Sequence, residues 1–179
     1  MKRHSMETQL LETMDDSKLW SYEALKRFRL IFKAVQQHSQ QVETDSGVTS
    51  AQLWIMWELS KKPGLKVTEI ANALSIHHST ASNLLDKLAK KGLILRERIS
   101  LDQRVVTVSL TQSGIDLINQ APSPPRGLLQ HALFELPASV AKSLVNNLDV
   151  LVDQMQIKDI DSAMQPLNPL PKGRKSKKK

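Results

Sequence analysis

Residues 67–92 read VTEIANALSIHHSTASNLLDKLAKKG, and their periodicity decides the fold. Ile70, Ala71 and Leu74 make one apolar stripe at helical spacing, which predicts a short helix over Val67–Ala73. Ala81, Leu84, Leu85 and Leu88 make a second, which predicts a helix over His78–Lys91. Between them, Leu74-Ser75-Ile76 leaves room only for a brief turn with one apolar anchor. Gly92 closes the second helix, because glycine enters the left-handed conformation without steric cost. Two short helices joined this tightly form a helix-turn-helix. The first braces the second, whose outer face is free to enter a major groove about 12 Å wide.

Beyond Gly92 the period changes from helical to alternating. Leu93–Arg98 and Val105–Leu110 read as two strands, and Ser100–Arg104 as the polar tip of the hairpin joining them. Helix-turn-helix followed by hairpin is a winged helix-turn-helix, spanning about residues 48–111. Thr111 reads as the N-cap of a helix running to about Gln120, which Pro122, Pro124 and Pro125 then break.

The flanks are helical too. Leu19, Tyr22, Leu25, Phe28, Phe32 and Val35 recur at three- and four-residue spacing, predicting a helix over Asp16–Val42 that stops at Thr44–Gly47. Leu53, Trp54, Met56, Trp57 and Leu59 place another at Ser50–Ser60, ended by Pro63-Gly64. A last helical region covers Leu128–Met155, interrupted near Pro137. Within it Val140, Leu144, Leu148, Leu151 and Met155 form a short heptad-like seam. The expected class is mainly α with a small β-hairpin wing. Residues 1–15 read as a flexible N-terminus and 16–165 as one domain. Helices 16–42 and 112–157 flank the winged segment, and 166–179 is a basic disordered tail.

The face of the His78–Lys91 helix left outside the apolar stripe carries the chemistry. His78, Ser79, Ser82, Asn83 and Lys87 point outward or flank the stripe, with Thr80 beside them. Short hydroxyl and amide side chains suit base edges and phosphates. His77 and His78 lie at the helix N-terminus, where the dipole favours an anionic phosphate. A merely solvated face is the competing reading, but such faces are normally rich in long charged side chains and this one is not. A metal site on the paired histidines finds no cysteine and no carboxylate at ligand spacing. At the wing, Arg96, Arg98 and Arg104 cluster around a turn containing Asp102. An arginine there can reach the narrow minor groove, held by the Asp102 carboxylate.

Charge supports this only after dissection. The net charge is +7, but Lys172, Arg174, Lys175, Lys177, Lys178 and Lys179 contribute six positive charges from the last eight residues. Within 48–111, nine lysines and arginines outnumber five aspartates and glutamates, so the winged segment is basic with the tail set aside. The chain has no cysteine, which excludes a disulfide framework, a thiol nucleophile and thiolate metal sites. Without a signal-like apolar region behind MKRHSMETQ, and with Leu53–Trp57 the longest clear apolar run, a cytoplasmic protein is expected.

The run VTEIANALSIHHSTASNLLDKLAKKGLILRERISLDQRVVTVSLTQSG resembles the DNA-binding core of the MarR family, the multiple-antibiotic-resistance-type regulators. The likeness rests on Ile70-Ala71, Leu84-Leu85-Asp86-Lys87-Leu88, Lys91-Gly92-Leu93-Ile94, the Asp102-x-Arg104 wing and Leu110-Thr111-x-x-Gly114. It implies a homodimer whose terminal helices interlock and whose two winged modules sit on successive major grooves. The resemblance implies that such a dimer is a repressor reading a pseudo-palindromic site in double-stranded DNA. It also implies a small apolar or aromatic-acid effector, for which Arg29, Phe32, Trp54 and Trp57 (with Phe28) are the candidate lining. The chain departs from the family at Asn83, where many members carry arginine, and at Pro122–Pro125, which interrupts a helix that is often continuous. The absent cysteine removes the thiol-oxidation switch of some relatives.

The implied DNA-binding set is therefore His77, His78, Ser79, Thr80, Ser82, Asn83, Lys87, Arg98, Asp102 and Arg104. No cofactor is expected. An enzyme is not expected either, for lack of a phosphate loop, a metal cluster or a nucleophile–base motif. The alternative is a winged-helix module that binds protein or RNA without sequence-specific duplex binding.

Overall fold

The computed structural model describes residues 16–98 and 106–167. Expectations for residues 1–15, for the hairpin tip at 99–105 and for residues 168–179 lie outside the described residues. The chain divides into two compact units, residues 1–37 and 38–179.

Helix α1 runs Asp16–Ser46, and its turns up to Gln37 make the described part of the first unit. Glu23 accepts hydrogen bonds from Lys26 (2.8 Å) and Arg27 one turn on, and these cations hold its carboxyl at about 2. Phe28 and Phe32 stack along the same helix, with ring centroids 6.3 Å apart. Trp20, Tyr22, Leu25, Leu30, Ile31 and Phe32 are exposed on this unit.

The second unit begins with the last turns of α1. Helix α1 outlasts the expected stop at Thr44 because Thr44, Asp45 and Ser46 stay helical. The chain turns only at Gly47, whose φ of +67° is the left-handed conformation and whose N–H reaches the Glu43 carbonyl at 3.0 Å. Helix α2 (Ser50–Lys61) then opens on a capping box. Thr49 Oγ1 accepts from the Gln52 N–H at 3.3 Å, and the Gln52 side chain accepts from the Thr49 N–H at 3.0 Å.

Leu53, Ile55, Met56 and Leu59 of α2 are fully buried and form the centre of the core. Around them pack Val42, Val48, Ile70, Leu84, Leu85, Leu88 and Val108. Burying each such side chain contributes roughly 1.5–3 kcal/mol, so these residues fix the helix-turn-helix as one body.

Helix α3 (Val67–Leu74) and helix α4 (His78–Lys90) are the two short helices read from the sequence. Ser75 makes the turn in the left-handed region at φ +52°, and the Ile76 N–H bonds back to the Ala71 carbonyl at 3.0 Å. Ile76 is the buried anchor. Glu69 fastens the start of α3, accepting from the Lys66 N–H and from Lys62 Nζ, both at 2.9 Å.

The sheet has one strand more than the two expected. Strand β1 (Leu65–Lys66) pairs antiparallel with β3 (Val106–Leu110), which pairs antiparallel with β2 (Ile94–Arg98), giving the order β1-β3-β2. Leu65 faces Val108, Ile94 faces Leu110 and Arg98 faces Val106. Two residues between Pro63-Gly64 and α3 are too few for a period to show. They are recruited by Val108, whose carbonyl also accepts from the Gly64 N–H at 3.0 Å.

Helix α5 (Gln112–Gln120) starts on the Thr111 cap, which accepts from the Gly114 N–H at 3.1 Å. Thr111 also donates to the Gly92 carbonyl at 2.7 Å, tying the exit of the wing to its entrance. A Cβ on Gly114 would run into the Leu93 carbonyl oxygen, so only glycine lets α5 pass there. Helices α6 (Leu128–Phe134) and α7 (Ala138–Gln154) follow, broken at Pro137. Neither has a buried residue, and Val140, Val145, Leu148, Leu151, Val152 and Met155 are exposed on or at the end of α7. A 3-10 turn at Ile160–Met164 is the last element among the described residues. No helix among the described residues is long and apolar enough to cross a membrane.

Candidate nucleic-acid interface

The site is built on α4. Ala81, Leu84, Leu85 and Leu88 are buried to the last ångström, which fixes the rotation of the helix about its own axis. His78, Ser79, Asn83, Asp86 and Lys87 consequently stand exposed, with Thr80 and Ser82 half-buried at the edges of the stripe. His77 is the N-cap residue and makes no side-chain cap. Lys87 shares an open hollow of about 340 Å³ with Lys90, Lys91 and Glu43 at the C-terminal end of the helix. Lys91 Nζ donates there to the Gly47 carbonyl.

The wing is tied to this helix by an arginine. Arg96 on β2 meets the Asp86 carboxylate at 2.7 Å and donates to the Ser82 carbonyl at 3.2 Å. Arg96 therefore braces the helix and is not a free wing cation. Arg98, two residues further out and on the same side of β2, is exposed. Asp102 and Arg104 lie outside the described residues.

The four residues expected to line an effector pocket fall in different units. Arg29 and Phe32 are exposed on the first. In the second, the Trp54 indole is buried and donates to Glu58 at 2.8 Å, while Phe134 meets its ring edge-on at 6.3 Å. Trp57 is covered by the Arg126 guanidinium, 4.2 Å from its ring centre, with Lys61 at 5.3 Å. Arg126 also stands 4.9 Å from the Phe134 ring, and its Nε lies 3.7 Å from Glu58 Oε1, too far for a hydrogen bond.

Sequence reasoning missed three features. Arg126 on Trp57 joins residues nearly seventy positions apart, and only a folded chain brings them together. The Arg96–Asp86 pair spans two elements of different period, so neither pattern signals it. The third is the return of the chain to the N-terminal end of α4. The His77 N–H donates to the Met164 carbonyl at 3.1 Å, the His77 ring Nε2 lies 3.3 Å from the Asp161 carbonyl, and Thr80 Oγ1 donates to Gln165 Oε1 at 3.2 Å.

A helix pair on a shared core, with a hairpin fastened beside the second helix, defines a winged helix-turn-helix protein. Residues 48–106 match the model of the MarR family. The HTH-type transcriptional repressor MdtR of Bacillus subtilis is 36% identical over 84 residues, which are 47% of this chain and 54% of MdtR. The chain thus spans about half the length of that curated relative. Among solved structures, the S. aureus MepR–DNA complex is similar at a TM-score of 0.52 and 28% identity, over 79% of this chain and 100% of that one. A MepR-like protein complexed with pseudoligands shares the fold at a TM-score of 0.54 and 20% identity, over 75% and 94% of the two chains. Over residues 48–106 the chain is thus similar to the MarR family, and its fold is that of the winged-helix proteins named here.

Proposed function

We propose that the chain is a sequence-specific, duplex-DNA-binding transcription regulator, acting in the cytoplasm as a homodimeric repressor on a pseudo-palindromic operator. The observation that carries the proposal is the exposed face of α4, where Ser79, Asn83 and Lys87 stand out from a helix whose rotation the core has fixed. Ser79 and Asn83 suit base edges, His78, Ser82 and Thr80 suit phosphates or bases at the helix start, and Lys87 suits a phosphate. Arg98, with Asp102 and Arg104 further along the wing, is assigned to the neighbouring minor groove. Similarity to a repressor and to a protein solved on DNA supports the same reading.

The dimer is supported by the apolar row on α7, which nothing within the described chain buries and a second copy would cover. A small apolar or aromatic-acid effector remains part of the proposal. The stacked Arg126 favours it, as a cation already seated between the rings of Trp57 and Phe134. The reading is of a binding protein, not an enzyme, and no observation favours a protein- or RNA-binding module instead.

The test is selection of bound duplexes from a random library by the full chain. The expected outcome is an enriched two-fold motif with half-sites roughly 34–36 Å apart, bound more weakly as salt rises. Enrichment of no duplex sequence would overturn the proposal.

A further inference from the structure

We propose that residues 159–165 form an autoinhibitory strap on the N-terminal end of α4, which must lift before that end can reach DNA. The inference rests on the DNA-binding reading of α4 and adds a regulation to it. Three groups at one helix end are occupied by one short segment: the His77 N–H by the Met164 carbonyl, the His77 ring by the Asp161 carbonyl, and the Thr80 hydroxyl by the Gln165 amide. A main-chain carbonyl only accepts, so the His77 ring contributes its Nε2–H to that contact. The first turn of a recognition helix is the part that meets phosphates and base edges, and here a peptide segment stands in the same place.

The strap is built to hold its shape and to let go. Its turn is closed by Ser162 Oγ donating to the Asp159 carbonyl at 2.7 Å and by the Gln165 N–H donating to the Ser162 carbonyl at 3.2 Å. It has no apolar anchor, since Ile160 is 78% exposed and none of residues 156–165 is buried. Attachment therefore depends on exposed hydrogen bonds, each of which water replaces at small net cost. Such a contact is strong enough to lower affinity and too weak to abolish it. The strap also carries Asp159 and Asp161, so it presents carboxylates to any approaching phosphate.

The experiment uses the full-length chain and a duplex enriched from the random library. A variant with Asp161→Gly, Ser162→Gly and Ala163→Gly unwinds the turn while keeping the chain's length and its basic tail. It should bind on the order of tenfold more tightly than the parent, and Gln165→Ala about two- to threefold more tightly, from loss of hydrogen bonds of this exposed kind. Asp161→Asn keeps the carbonyl that meets His77 and controls for the lost charge. Equal or weaker binding by the triple-glycine variant overturns the strap, as does a gain that Asp161→Asn reproduces in full. If neither parent nor variants prefer any duplex, the DNA reading fails and the strap falls with it. A parent that binds specifically, with variants no tighter, removes the strap alone. A single cooperative melt, lowered by no more than a few degrees for the loss of the strap's own contacts, shows that each variant has folded.

Discussion

Arg96 on the first wing strand meets Asp86 on the recognition helix at 2.7 Å, and its other nitrogen holds the Ser82 carbonyl. One side chain thus sets the angle between the two parts proposed to touch DNA. The side chains remain 30% and 49% exposed, so solvent screens the pair and its contribution to stability is only about 0.5 kcal/mol. Arg96→Gln should leave the melting temperature within a degree or two. Specific DNA affinity should fall several-fold through a loosened wing, as measured by fluorescence anisotropy on the selected duplex.

Asn83 is exposed at the middle of the α4 face. Asn83→Ala should cost roughly 1–3 kcal/mol of specific affinity and relax the preference at one base position, with nonspecific binding unchanged. Repeating the library selection with the variant checks this. An identical motif would remove Asn83 from base readout.

Lys87 should behave differently, as a phosphate contact. Lys87→Ala is expected to weaken binding about equally on all sequences and to lower the slope of log affinity against log salt by about 1. Titrations at four salt concentrations measure that slope directly.

Gly114 has no room for a methyl group against the Leu93 carbonyl and the Leu110 side chain. Gly114→Ala should destabilise the fold by roughly 1–3 kcal/mol, as overpacking does, because backbone must move. Urea unfolding should show a lower midpoint with an unchanged slope.

Glu69 contributes a pH dependence to the helix-turn-helix. The Lys66 N–H first, and Lys62 second, hold its carboxyl below the ordinary value of 4.5. A folded-state value below the unfolded one means the stabilisation is fully present above about 4.5 and is lost as pH falls through the lowered value. The stability gap between the parent and Glu69→Gln should therefore be constant near neutrality and should shrink in acid. Thermal melts from pH 7 down to 3 would show it.

The helix pair and the wing were legible because burial there is one-sided. Leu84, Leu85 and Leu88 recur on one stripe, and a stripe shows in any window of sequence. Strand β1 was not legible, since two residues hold no period and its partner lies more than forty positions away. The end of α1 was misplaced by one turn because the polar run Thr44-Asp45-Ser46 reads as a stop, while the stereochemical stop is Gly47. On the candidate site, the outward residues of α4 followed from the stripe. The roles of Arg96, Arg126 and the 160–165 segment did not, because each depends on contacts between distant parts of the chain.

The apolar row along α7 has a consequence for supply. If a second copy is what covers Val145, Leu148 and Val152, the competent reader exists only as pairs. In the dilute regime, pairs accumulate as the square of the number of chains made, so halving synthesis would leave about a quarter of the readers. Occupancy of the operator would then respond to the chain's own rate of production more steeply than in proportion. A gene silenced by such a protein would reopen abruptly as the chain is diluted by growth.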